Sequence, residues 1–151
     1  MDDFSAKAGT PNAYGLVGGE ANAIAPNKRM LSSMTPTILE KDGRLFMVIG
    51  AMGGSTIITT VYQIILNVTR HGFSMQGAVN AKRFHHQWKP DWILTEKGAL
   101  GFGTTFRLWL KGHKIVPKKG SIGRAAGILV LPDGKLEAGA DTRGDDKAAG
   151  F

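Results

Sequence analysis

Leu45-Phe46-Met47-Val48-Ile49-Gly50-Ala51-Met52-Gly53-Gly54-Ser55-Thr56-Ile57 is the stretch on which the reading of this chain turns. Leu45 to Gly50 is apolar and has the length of a buried strand. Ile57 to Val68 is apolar on most sides and has the length of a buried helix. Two glycines stand between them. A glycine pair at a strand-to-helix turn leaves backbone N–H groups pointing outward at a helix N-terminus, which favours negative charge. Such a turn suits an anion, or the oxyanion that develops when an acyl group is attacked. No nucleophile follows from the spacing of Ser, His and Asp residues elsewhere.

Reading outward, Thr35 to Glu40 alternates as a strand, and Lys41-Asp42-Gly43-Arg44 turns it into the Leu45 run, because Asp-Gly is a hairpin signal. Ser55 or Thr56 is expected to cap the helix, which stops at His71-Gly72. Ser74 caps a short helix from Met75 to Lys82. Trp92 to Thr95 reads as a strand, and Thr104 to Lys111 as a helix stopped by Gly112. His113 to Pro117 is extended. Gly127 to Leu131 and Lys135 to Ala138 flank Pro132-Asp133-Gly134 as a second hairpin. Residues 1–30 are rich in Gly, Ala, Asn and Pro and show no period, as expected of an extended loop laid against another surface. Partly segregated strands and helices predict an α+β or layered α/β/β/α fold, and the hairpins leave sheet edges open.

The composition limits the function classes. A length of 151 residues fits one domain, 1–151. Hydrophobic residues at 42% and charged residues at 21% are those of a globular protein. The net charge of +7 invites nucleic acid as a partner. Apart from Lys82-Arg83 and Lys118-Lys119 the cations are scattered, and no basic helix face with interleaved aromatics stands out, so a solvated basic surface is expected. The absence of cysteine excludes disulfides and thiolate chemistry. Met1-Asp2-Asp3-Phe4 lacks the basic start and apolar run of a signal peptide. Ile57 to Val68 is too short, and with Thr59, Thr60, Gln63 and Asn67 too polar, to span a membrane. His85-His86 has no carboxylate at ligand spacing, so no metal is expected, and the rings are assigned to structural bonds with backbone or a partner. No cofactor is expected. Trp88, Trp92 and Trp109 are assigned to core or subunit contacts.

Asn27-Lys28-Arg29-Met30-Leu31-Ser32-Ser33-Met34-Thr35-Pro36-Thr37 resembles the serine-pair segment of the gamma-glutamyltransferases, or glutathione hydrolases. Met1-Asp2-Asp3-Phe4-Ser5, Pro11-Asn12, Tyr14-Gly15-Leu16, Gly53-Gly54-Ser55 and Arg83-Phe84-His85-His86-Gln87 are similar to that family in the same order, as are Asp141, Arg143 and Ala149-Gly150-Phe151. The resemblance runs the length of the chain. Met30 and Met52 stand where the family usually has Pro.

The resemblance implies an N-terminal-nucleophile hydrolase sandwich of which this chain is one part. The family's precursor cuts itself into a large and a small subunit, and the new N-terminal Thr of the small subunit is the nucleophile. The chain looks like the C-terminal part of the small subunit, without that Thr. Asp3 is similar to the aspartate that holds the substrate α-amino group, and Ser32 and Ser33 to the pair that binds its α-carboxylate with an Arg of the large subunit. Gly53 and Gly54 match the oxyanion-hole glycines. The implied reaction moves the γ-glutamyl group of glutathione to water or an amino acid through a Thr acyl-enzyme, with the large subunit as partner and a periplasmic or extracellular location. The chain alone is expected to be inactive. The alternatives are a non-catalytic remnant that binds glutamate-like ligands and a small basic nucleic-acid binder.

Overall fold

The computed structural model describes residues 3–150, so Met1, Asp2 and Phe151 of the resemblance lie outside the described residues. After a loop interrupted by one 3-10 turn, Glu20–Asn22, the chain forms strands β1 (Thr37–Lys41) and β2 (Arg44–Met52), then helices α1 (Thr56–His71) and α2 (Met75–Asn80). Short strands β3 (Phe84–His85) and β4 (Ile93–Thr95) follow, then α3 (Phe102–Leu110), β5 (Ile115–Pro117), β6 (Arg124–Val130) and β7 (Leu136–Ala140). The fold is α+β.

The two expected hairpins join into one antiparallel sheet, ordered β1-β2-β6-β7. The tip of the first carries positive φ at both Asp42 and Gly43, the twist that a two-residue hairpin requires. In the β2–β6 register Met47 faces Leu129 and Ile49 faces Gly127 on the buried side, while Val48 and Ile128 pair on the exposed side. That period of two fixes the register, because a slip by one residue would turn the core residues to solvent. Helix α1 lays Ile57, Val61, Ile64 and Val68 on the buried face, and α2 adds Met75, Ala78 and Val79. Met75 sits directly on the sheet. A Cβ built at Gly139 would stand 2.8 Å from its carbonyl oxygen, so only glycine admits α2 this close.

Four expectations are corrected. Helix α1 is amphipathic rather than buried all round, with Ile58 and Tyr62 exposed. Helix α2 stops at Asn80, short of Lys82, because the Arg83 and Arg143 guanidiniums take its last carbonyls, Val79 O and Ala81 O. Strand β3, unforeseen, pairs with β4, which runs parallel to β5 in a second, three-stranded sheet. Trp88, Trp92 and Trp109, assigned to core or subunit contacts, are all exposed, which removes the core half of that assignment.

The 3–30 segment is tied to itself by two asparagines. The Asn12 side-chain oxygen accepts from Tyr14 N and Leu16 N, an Asx turn. Asn22 donates to the Asp3 carbonyl at 2.6 Å and accepts from Leu31 N at 2.9 Å.

Candidate active site

Antiparallel pairing of β1 with β2 sets Thr37 opposite Ile49, so the residues entering β1 and those leaving β2 share one end of the sheet. Ser32-Ser33 precede β1, and Gly53-Gly54 follow β2. The Asn22 bridge fastens Asp3 to Leu31, next to the serine pair. Topology therefore gathers the segments carrying all five candidate residues at one sheet end. Ser33 is buried and Ser32 exposed, its Oγ accepting from Met34 N. Among the described residues the Asp3 carboxylate and the Ser33 hydroxyl have no hydrogen-bond partner.

The glycine turn is built tightly. Gly53 has φ +140° and Gly54 φ +58°, values that L side chains rarely adopt. A Cβ at Gly53 would meet Gly123 Cα at 2.9 Å, and one at Gly54 would meet the Tyr14 ring at 2.6 Å. The turn closes through Thr56 N and Ile57 N, which donate to Gly53 O and Gly54 O. The N–H groups of Gly53 and Gly54 themselves have no partner among the described residues. Neither expected hydroxyl caps the helix in the usual way. Ser55 Oγ donates to Gln87 Oε1 at 2.8 Å, and Thr56 Oγ1 donates back to Gly53 O at 2.8 Å.

Gln87 braces the turn. Its Nε2 donates to Tyr14 O, and its Oε1 also accepts from His85 Nε2 at 2.9 Å. Because Oε1 can only accept, His85 carries its proton on Nε2, and Nδ1 receives the Thr59 hydroxyl at 2.7 Å. His85 thus bonds side chains, where backbone or a partner was expected. Tyr14, Gly53, Ser55, Gln87, Trp92 and Lys118 contribute to the walls of an open cavity of about 430 Å³ beside the turn.

Burial pushes the His85 imidazole below its ordinary value of 6.5, the Gln87 bond opposes this, and the neighbouring His86 and Lys118 add to it. A depressed folded-state pKa means that the unfolded chain binds the proton more readily. The stability from neutral His85 is complete above pH 6.5 and declines as pH falls below it. Thermal melts between pH 8 and 5.5 should show this decline, and His85→Gln should flatten it. An equal slope in the variant would exclude His85 as its source.

Behind the site lies a buried group of four charges. Arg83 pairs with Asp141 at 2.9 Å, Arg143 with Glu96 at 2.6 Å, and Arg143 with Asp141 at 3.1 Å. Arg83 also donates to Ile122 O and Gly123 O, beneath the residue that Gly53 touches. Burial alone would raise the Glu96 and Asp141 carboxyls. The Arg143 side chain and the Ile122 and Arg83 N–H groups outweigh it at Glu96, and the Arg143 and Ala125 N–H groups and Arg83 outweigh it at Asp141, so both are held below the usual carboxylate range. Arg83, Asp141 and Arg143 were flagged by resemblance, whereas Glu96 carried no sequence signal. Nor did the tie through Asn22. Tyr14 and Gln87 lay within the quoted motifs without a role.

No helix of the described residues is long and apolar enough to cross a membrane. The gamma-glutamyltranspeptidase family model matches residues 1–151. The glutathione hydrolase proenzyme of Escherichia coli K12 is 52% identical over 152 residues, covering 100% of this chain and 26% of that protein. The chain therefore spans about a quarter of that curated relative. An acivicin-inhibited gamma-glutamyltranspeptidase, whose structure reveals critical roles for its C-terminus in autoprocessing and catalysis, superposes with a TM-score of 0.90 at 47% identity, over 97% of this chain and 79% of that one. The T380A mutant of Helicobacter pylori gamma-glutamyltranspeptidase superposes with the same TM-score of 0.90 at 48% identity, over 95% of this chain and 78% of that one. Matched from end to end by sequence and superposed almost throughout by fold, the chain belongs to the gamma-glutamyltranspeptidase family.

Proposed function

We propose that this chain supplies the substrate-binding and oxyanion-stabilising half of a gamma-glutamyltransferase, within a single domain completed by the rest of its precursor. The observation that carries the reading is the pair of N–H groups at Gly53 and Gly54, unpartnered among the described residues, in a turn whose contacts forbid a side chain at either position. Asp3 faces the α-ammonium of the γ-glutamyl substrate, and Ser32 and Ser33 hydrogen-bond its α-carboxylate. The nucleophilic Thr and an Arg of the large subunit come from the remainder of the precursor. Thr attack on the γ-carbonyl puts negative charge on its oxygen, which the two N–H groups receive. Collapse expels the amine of a donor such as glutathione and leaves an acyl-enzyme, which water or an amino acid then resolves. The C-terminal segment contributes through Asp141 and Arg143, which lock Arg83 beneath the Gly123 loop.

The test joins these 151 residues to the upstream part of the Escherichia coli relative. The chimera should process itself and release the chromophore from a γ-glutamyl anilide, while the isolated chain should show none above buffer. A folded, processed chimera without turnover would overturn the reading, as would turnover by the isolated chain.

A further inference from the structure

Helix α3 differs from α1 and α2 in burying none of its nine residues. At about 100° per residue, Trp109, Phe102, Phe106 and Leu110 fall within one arc. Their exposures are 64%, 89%, 49% and 64%, so the arc faces outward. The Phe106 and Trp109 rings stack at 5.9 Å, which makes the arc a formed surface rather than scattered side chains. Thr105 and Leu108 are half-buried and turn the other side toward the body, while Arg107 borders the arc and Lys111 follows at the C-terminal end of the helix.

Its electrostatics are one-sided. From Lys97 to Pro132 the chain has no Asp or Glu. Lys97, Arg107, Lys111, Lys114, Lys118 and Lys119 enter no ion pair among the described residues. Lys114 Nζ lies 4.5 Å from the centroid of the exposed Trp92 ring, repeating the aromatic–cation pairing beyond the helix.

We propose that α3 and the segment through Lys114 form a docking surface for an anionic phospholipid bilayer. The aromatic arc enters the boundary between headgroups and acyl chains, and the flanking cations meet lipid phosphates. A helix this short has too little apolar area to hold a neutral bilayer unaided, so the cations are required, each strengthening attachment roughly five-fold. Nucleic acid would use the cations but leave Phe102 and Leu110 in water.

Flotation through a density gradient tests this, because lipid-bound protein rises while self-associated protein sediments. The isolated chain and the chimera are each mixed with vesicles of phosphatidylglycerol or of phosphatidylcholine. Both proteins should float with the anionic vesicles only, and less at high salt. Phe106→Ser with Trp109→Ser, and separately Arg107→Glu with Lys111→Glu, should each lower binding by tenfold or more without altering the melting curve, since all four positions are exposed. Equal flotation with neutral vesicles, or no response to either double variant, would overturn the proposal. Flotation of the isolated chain but not of the chimera would assign the arc to the rest of the precursor and also overturn it. So would displacement from lipid by duplex DNA at equal phosphate concentration.

Discussion

Asp141→Asn should cost the chain about 3–5 kcal/mol of its stability at neutral pH. The Asp141 carboxylate is fully buried and accepts from Arg83 Nη2, Ala125 N, Arg143 N and Arg143 Nη1, all at 2.9–3.1 Å. An amide has one oxygen for these four donors, and its own NH₂ would face N–H groups. Arg83 would then keep its charge in the interior without a counter-ion. Breaking a buried pair on one side costs about 3–5 kcal/mol, against a total of roughly 5–15 kcal/mol for a domain. Urea titration followed by circular dichroism measures it. A midpoint change equivalent to less than about 1 kcal/mol would show that the four-charge group is dispensable. Replacing Arg83 and Asp141 together by apolar residues should recover part of the loss, because neither charge is then stranded.

Gly53→Ala should lower kcat of the chimera by about 10²–10³, the effect of losing one oxyanion donor, with KM nearly unchanged. The new Cβ meets the backbone of Gly123 at 2.9 Å and Thr56 Oγ1 at 2.6 Å. The threonine hydroxyl can rotate away, but the Gly123 backbone is pinned from below by Arg83. The turn must therefore move, and its N–H groups turn with it. The structural cost is smaller, about 1–3 kcal/mol for a side chain at this φ, so the protein should still fold and process. Parallel falls in kcat and in the folded fraction would mean that Gly53 only holds the turn. An unchanged kcat would remove Gly53 from the reaction.

The local features of the fold were legible. Asp42-Gly43, Gly72 and Ser74 each act within a few residues, and each does its expected work: hairpin tip, left-handed helix stop and cap to Gly77 N. The joining of the two hairpins through β2 and β6 was not, because nothing near Met47 says that Leu129 lies opposite. Trp109 of α3 was assigned to core or subunit contact without a choice between them, because a sequence shows which side of a helix is apolar but not whether anything covers that side. The glycine turn could be read because its chemistry is backbone chemistry. Its supports could not. The Gln87 bond to Tyr14 spans 73 residues, and the Asn22 bond to Asp3 spans 19. Polar side chains announce no such partners in advance.

The four-charge group has a consequence for biosynthesis. Its members stand at positions 83, 96, 141 and 143, so the Arg83–Asp141 pair spans 58 residues and the Arg143–Glu96 pair 47. Until Asp141 and Arg143 emerge from the ribosome, Arg83 and Glu96 lack partners and the surrounding core cannot close, since late contacts of such sequence separation complete slowly. A polypeptide halted before Asp141 would remain open to proteases however well its hairpins had formed. The ion cluster thereby makes closure of this core wait on Asp141 and Arg143.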